Sequence, residues 1–555
     1  MPTFSRRAFL KAAALVAGSS RTAQLAEPAP GRETLYNGIT LATPWPPRNR
    51  FLSAEPETPP YLRDPPAVVP IDVGRQLFVD DFLIEERSLN RTYHRAAYHP
   101  ASPVLRPETA WERRDEAAER THTRPNPTAM VFSDGVIYDP RDRLFKMWYM
   151  GGYSNKTCLA VSDEGLVWRR PEFDVVAGTN IVLERLRDSN TVWLDRVDRD
   201  PRGRFKMAAF NGSHKSLLLF ASPDGIHWSR VGESGPCGDR STMFYNPFRG
   251  VWAFSLRGEE LAGFNRYRRY WETNDFAHGA AWRDGGPVPW IAADALDMPR
   301  PEYRVAPELY NLDGVAYESL ILGLFTVFRG ERPEREKPND VCLGFSRDGF
   351  HWSRPSREPF IPVSERAGDW NWSNVQSAGG CCLVVGDRLY FYVSGRSGVP
   401  GTSDPGVCST GLAVLRRDGF ASLSDAPDQR PVRSDTGSPQ QVTTRPVRFS
   451  GRHLFVNADV TRGALRVEVL DREGRVLQPY SLANTRAVAG IDGTRLPVRW
   501  ATRATLDELI GETVRFRFSL RGGRLYSFWV SPSPSGTSRG YVAAGGPGFD
   551  SATDA

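Results

Sequence analysis

Sulfur and histidine are scarce in this 555-residue chain, with six cysteines, seven methionines and eight histidines. Cys158, Cys237, Cys342, Cys381, Cys382 and Cys408 are too few and too scattered for a disulfide framework at this length. A single disulfide and buried thiols both remain open for an exported chain. No Cys-x-x-Cys or His-x-x-x-His spacing supports zinc, and no cofactor is expected. There is no lysine-rich stripe, because basic and acidic residues alternate throughout, and this excludes a nucleic-acid footprint. The apolar run at the N-terminus, Ala12 to Gly18, is too short to span a bilayer, so no membrane span is expected.

Ser5-Arg6-Arg7-Ala8-Phe9-Leu10-Lys11 ahead of that run reads as a twin-arginine export signal, with cleavage expected near Ala23 to Ala26. The net charge of +6 falls to about +2 without Arg6, Arg7, Lys11 and Arg21. The expected location is the periplasm or the extracellular space.

What the chain does have is repetition. Ser162-Asp163-Glu164-Gly165-Leu166-Val167-Trp168, Ser222-Pro223-Asp224-Gly225-Ile226-His227-Trp228 and Ser346-Arg347-Asp348-Gly349-Phe350-His351-Trp352 share the pattern Ser-x-x-Gly-x-x-Trp. Arg416-Arg417-Asp418-Gly419-Phe420 is a worn copy. Each predicts a hairpin whose glycine supplies a positive φ. A second repeat, Asp139-Pro140 to Met147 and Asp200-Pro201 to Met207, places a like turn one strand earlier. All-β units recurring at roughly 50 to 70 residues predict propeller blades, five by our count, or four or six if the diverged unit at 242–276 or the N-terminal strands are misassigned.

The predicted fold class is therefore all-β, a five-bladed β-propeller followed by a C-terminal antiparallel β-sandwich. The expected divisions are a signal at 1–26, a Pro-rich strap at 27–75, the propeller at 76–425 and a linker at 426–444. The sandwich follows at 445–532, with a disordered tail at 533–555. Period-two alternation in Arg466-Val467-Glu468-Val469-Leu470 and Val514-Arg515-Phe516-Arg517-Phe518 supports the sandwich.

This arrangement resembles the secreted glycoside hydrolases of families 32 and 43. The hairpin also differs by one residue from the sialidase Asp-box, Ser-x-Asp-x-Gly-x-x-Trp. The resemblance implies carboxylates at the inner ends of the first strand of each blade, because glycoside hydrolysis needs a proton donor and a base or nucleophile. Asp134, before Gly135-Val136-Ile137-Tyr138, is a shortened counterpart of the family 32 Asn-Asp-Pro-Asn-Gly segment and is the nucleophile or base candidate. Asp188, in Arg187-Asp188-Ser189, takes the place of the family's Arg-Asp-Pro carboxylate and is the candidate for the stabilising carboxylate; the literal Arg199-Asp200-Pro201 falls in a later turn. Glu308 is the expected acid, with Asp239 in reserve. Arg187, Asp239 and Arg240 are candidate substrate contacts, and Trp111, Trp370 and Trp372 candidate sugar platforms. A calcium ion in the channel, known in such propellers, has no specific ligand set here.

The expected function is an exported glycoside hydrolase acting on a poly- or oligosaccharide, its partner a carbohydrate. The alternatives are a carbohydrate-binding propeller without catalysis and a sialidase-like enzyme, which would need an arginine cluster in the channel.

Overall fold

The computed structural model describes residues 33–48, 51–113, 126–258, 261, 263–283, 286–303, 305–330, 334–425 and 440–555. The expected export signal lies outside them. Strands dominate, and no helix among the described residues is long and apolar enough to cross a membrane.

Five antiparallel sheets follow one another along the chain. Their first strands are Ala129–Asp139, Asn190–Leu194, Thr242–Asn246, Glu308–Glu318 and Asn374–Ser377. Each first strand touches the next, and the fifth touches the first. Large side chains fill the wedges between neighbouring sheets, for example Trp148 and Phe205 between the first and second, with ring centroids 5.4 Å apart.

The repeated hairpin explains how the sheets are joined. In all three copies the Ser Oγ accepts the Gly N–H, at 2.9 Å for Ser162 and Gly165, 2.8 Å for Ser222 and Gly225, and 2.9 Å for Ser346 and Gly349. The glycines have φ between 81° and 82°, which a side chain would strain. Each hairpin then latches a neighbouring sheet. Trp148 Nε1 donates to Gly225 O at 2.8 Å, Tyr392 Oη to Gly165 O at 2.6 Å, and Trp290 Nε1 to Phe350 O at 2.7 Å. The Tyr392 latch ties the fifth sheet to the first. The motif is thus a joint of the fold, and its tryptophans pack inside it: Trp168 sits edge-on to Tyr392, and Trp352 lies 5.9 Å from Trp290.

Beyond the fifth sheet, a six-stranded and a five-stranded sheet share one core that includes Phe78, Val456, Val467, Phe516, Phe518 and Phe528. Three expected boundaries change. Gln76–Leu77, Ile84–Arg87 and Asn90–Tyr93, assigned from sequence to the propeller, pair with these C-terminal sheets, as does Ala421–Ser424. The expected linker at 426–444 ends in a strand, Gln440–Thr444, bound to Arg515–Arg521 on one side and Ile84–Arg87 on the other; residues 426–439 lie outside the described ones.

The third change is the tail at 533–555, which is ordered rather than disordered. Tyr541–Val542 pairs with Tyr317 and Glu318. Ala544 N donates to Cys382 O at 3.1 Å, and Ala544 O accepts from Tyr138 N at 3.1 Å. The tail thereby crosses the far ends of the first and fourth inner strands and the start of the fifth sheet's hairpin. Several of its backbone groups are satisfied by chain more than 150 residues away, which local composition does not reveal. The Pro-rich strap also lies on the body, with Tyr36 Oη on Ser319 O at 2.5 Å and Asn37 Nδ2 on Arg347 O at 2.8 Å. All six cysteines are buried thiols without a disulfide.

Candidate active site

At the opposite ends of the inner strands from the tail, charged groups gather. Asp134 lies within the first inner strand, not before it. The pairing of that strand jumps from Met130 opposite Met150 to Gly135 opposite Trp148, and the bulge carries Ser133 at φ 65°. Such a bulge turns a side chain out of register. Asp134 is fully buried and both of its oxygens receive Arg187, at 2.7 Å each. Burial holds its carboxyl above the ordinary range, against the pull of Arg187 and Arg240.

Asp188 is half-buried at the start of the second inner strand, and its Oδ1 accepts the Ser189 N–H at 2.8 Å. Burial and the nearby negative charge of Asp239 push it up, while Arg240 and Arg187 oppose. Asp239 itself is paired with Arg257.

Arg240 stands just before the third inner strand in the left-handed region, at φ 55°. Its guanidinium reaches across to the first sheet, 4.0 Å from the centre of the Phe132 ring, and lies 5.7 Å from Tyr310 of the fourth. It is fully buried, and none of its three side-chain nitrogens has a hydrogen-bond partner among the described residues. Its charge acts on Asp134, Asp188 and also Asp313.

Asp313 is not among the site residues expected from the sequence. It is buried in the fourth inner strand, with Oδ2 accepting from Ser377 Oγ at 2.6 Å and Asn311 Nδ2 at 2.9 Å. Its Oδ1 has no partner among the described residues, and burial raises its carboxyl. Asn311 Nδ2 also reaches Ser133 Oγ, beside Asp134, at 3.4 Å. A signal was present: Asp313-Gly314-Val315-Ala316-Tyr317 repeats Asp134-Gly135-Val136-Ile137-Tyr138.

Glu308 opens the same strand at its rim. It is ion-paired with Arg266 and accepts from Asn265 Nδ2 at 3.1 Å, so it is engaged apart from the group around Arg240. Asp200 caps a short exposed turn, as its position in the chain suggested.

The three tryptophans are held in packing. Trp111 donates to Asn180 Oδ1 at 3.1 Å, Trp370 lies edge-on to Tyr98 in the fifth sheet, and Trp372 is covered by Arg335, 5.3 Å from its ring. Further polar atoms without a partner among the described residues lie on or just before the inner strands: Ser189 Oγ, Asn190 Oδ1, Thr191 Oγ1 and Gln376 Oε1. Two more buried arginines border the group. Arg396 pairs with Glu336 at 2.9 Å, and Arg268 bonds only hydroxyl and carbonyl oxygens, among them Arg240 O at 2.8 Å. Burial and the charge of Arg240 bring Arg268 down to about 9. Among the described residues no group of three or more His, Cys, Asp or Glu is placed to hold a metal ion.

No protein-family model matches the chain, and no curated protein does. Solved structures give distant likenesses. An N-acetylgalactosamine deacetylase from F. plautii is 14% identical over 60% of this chain and 96% of its own, with a TM-score of 0.38. An exo-β-1,3-galactanase from Phanerochaete chrysosporium is 11% identical over 76% and 99%, with a TM-score of 0.35. A thermostable family-43 glycoside hydrolase is 11% identical over 55% and 98%, also at 0.35. No activity follows from likeness at this level.

Proposed function

We propose that the chain is an exported glycoside hydrolase whose five sheets form a propeller, braced by a C-terminal β-sandwich, with its cleft at the Arg240 end of the channel. One observation supports this reading above the others: Asp134, Asp188 and Asp313 come from three different inner strands and share the field of one buried arginine. Perturbed carboxyls brought together in this way mark functional sites.

The roles follow from access and pairing. Asp313, sealed from water with Oδ1 free, donates a proton to the leaving glycosidic oxygen. Asp188, open to the mouth, takes a proton from the water that attacks the anomeric carbon. Asp134, whose two oxygens are held by Arg187, is a fixed negative charge that steadies positive charge developing on the sugar ring. Glu308, expected from the sequence as the acid, is left out because its carboxylate is committed to Arg266.

One observation favours the reading without catalysis: a carboxylate clamped at both oxygens cannot itself attack a sugar. The deciding experiment is release of reducing sugar from a panel of plant, algal and bacterial glycans, with Asp188→Asn alongside. Release that disappears in the variant, with its melting curve unchanged, supports hydrolysis. Binding without release from any glycan would replace this reading with the lectin-like one.

A further inference from the structure

A buried guanidinium is expensive unless it is paired, and elsewhere in this molecule it is. Arg187 has Asp134, Arg396 has Glu336, Arg347 has Asp80 and Arg354 has Asp297, all at 2.9 Å or less. Arg268 lacks a carboxylate but satisfies its nitrogens on Ser255 Oγ and three backbone carbonyls. Arg240 has neither solution. Its guanidinium carbon lies over the Phe132 ring, 4.0 Å from the centre, and its five N–H donors are without acceptors among the described residues. That residue is held in place, because Arg268 binds the Arg240 carbonyl and the backbone there is left-handed.

We infer that Arg240 receives an oxyanion carried by the sugar, the carboxylate of a uronate or a sulfate ester, so that the glycan taken into this site is acidic. A planar fork over an aromatic ring, with its donors free, suits a carboxylate or sulfate far better than a neutral hydroxyl. The neighbouring aspartates do not fill this role: Asp134 is taken by Arg187, Asp313 is turned to Ser377 and Asn311, and no oxygen of Asp188 reaches Arg240. The inference deepens the proposal above and rests on it for the use of the cleft.

The test is calorimetric titration of the full chain with tetragalacturonate, with its methyl ester, and with a galactan tetramer with and without sulfate. An acidic probe is expected to bind about tenfold or more tightly than its neutral counterpart, as a charge-assisted hydrogen bond provides. The carboxylated and sulfated probes reveal which oxyanion is meant. Arg240→Gln should abolish the preference, and Arg240→Lys should keep part of it, with melting curves showing both variants folded. Equal binding of acid and ester and of both galactans, no binding of any acidic probe, or a preference unchanged in Arg240→Gln would overturn the inference. Release of neutral sugars without an acid preference defeats this inference alone; a preference without any sugar release defeats the hydrolase reading alone.

Discussion

Two groups of buried charge lie at opposite ends of the inner strands, and they are built on opposite principles. Where the body meets the C-terminal sheets, Asp418 accepts from Arg75 at 3.1 Å, Tyr317 Oη at 2.6 Å, Ser527 Oγ at 2.6 Å and Asn457 at 3.1 Å. Glu318 beside it takes Arg417 at 2.9 Å and the tail's Ser538 Oγ at 2.7 Å. Asp418 is as buried as Asp313, yet Arg75 and Arg417 overcome burial and hold its carboxyl down to about 2. At the other end Asp188 and Asp313 are pushed up and Arg240 is unpaired. Burial alone therefore separates nothing here. The acceptors differ: both oxygens of Asp418 are bonded, whereas Asp313 Oδ1 and all three side-chain nitrogens of Arg240 have no partner among the described residues, and on our proposal these are the groups a ligand would meet.

The widest separation should come from two Asp→Asn changes. Asp313→Asn mimics the protonated acid that burial favours, so it should cost turnover roughly 10²- to 10⁴-fold while stability holds. Asp418→Asn should remove the carboxylate that Arg75, Tyr317, Ser527 and Asn457 share, leaving Arg75 only the carboxylate of Glu318 at 3.5 Å, and cost about 3–5 kcal/mol, read by denaturant unfolding. If both variants lost stability equally, the distinction between the two ends would fail.

A smaller effect is expected at the sheet joints. Gly225→Ala places a Cβ 2.4 Å from the Trp148 ring at φ 82°, and should destabilise by about 1–3 kcal/mol with no change in glycan binding. The mildest test is pH. Asp418 has a lowered carboxyl, so its stabilisation is complete above the ordinary carboxylate range and is lost as pH falls from about 4 toward about 2. Asp188 and Asp313 have raised carboxyls, so their protons favour the folded state at low pH, and that contribution fades as pH rises through their folded values. Asp418→Asn should flatten the acid limb of the stability curve, and Asp313→Asn the slope above it.

The sequence showed the local devices well, because the Ser-x-x-Gly-x-x-Trp hairpin carries its own hydrogen bonds within four residues. Asp134 and Asp188 were also readable, since each stands close to a recognisable strand. Asp313 is the counterpart of Asp134, each six residues into its strand, but the family resemblance calls for a glutamate as the acid and so points to Glu308 at the strand's start. The tail and the Gln76–Tyr93 segment were misassigned because their partners are far away in sequence. Nothing within residues 533–555 predicts Glu318 as the acceptor for Ser538.

The most direct test of the contrast is thermal unfolding of Arg240→Met beside Asp418→Asn, without glycan present. Removing a buried guanidinium that makes no hydrogen bond should raise Tm, while Asp418→Asn lowers it. A fall of Tm in both variants would contradict the account, because Arg240 would then be part of the scaffold and not a group held ready for a ligand.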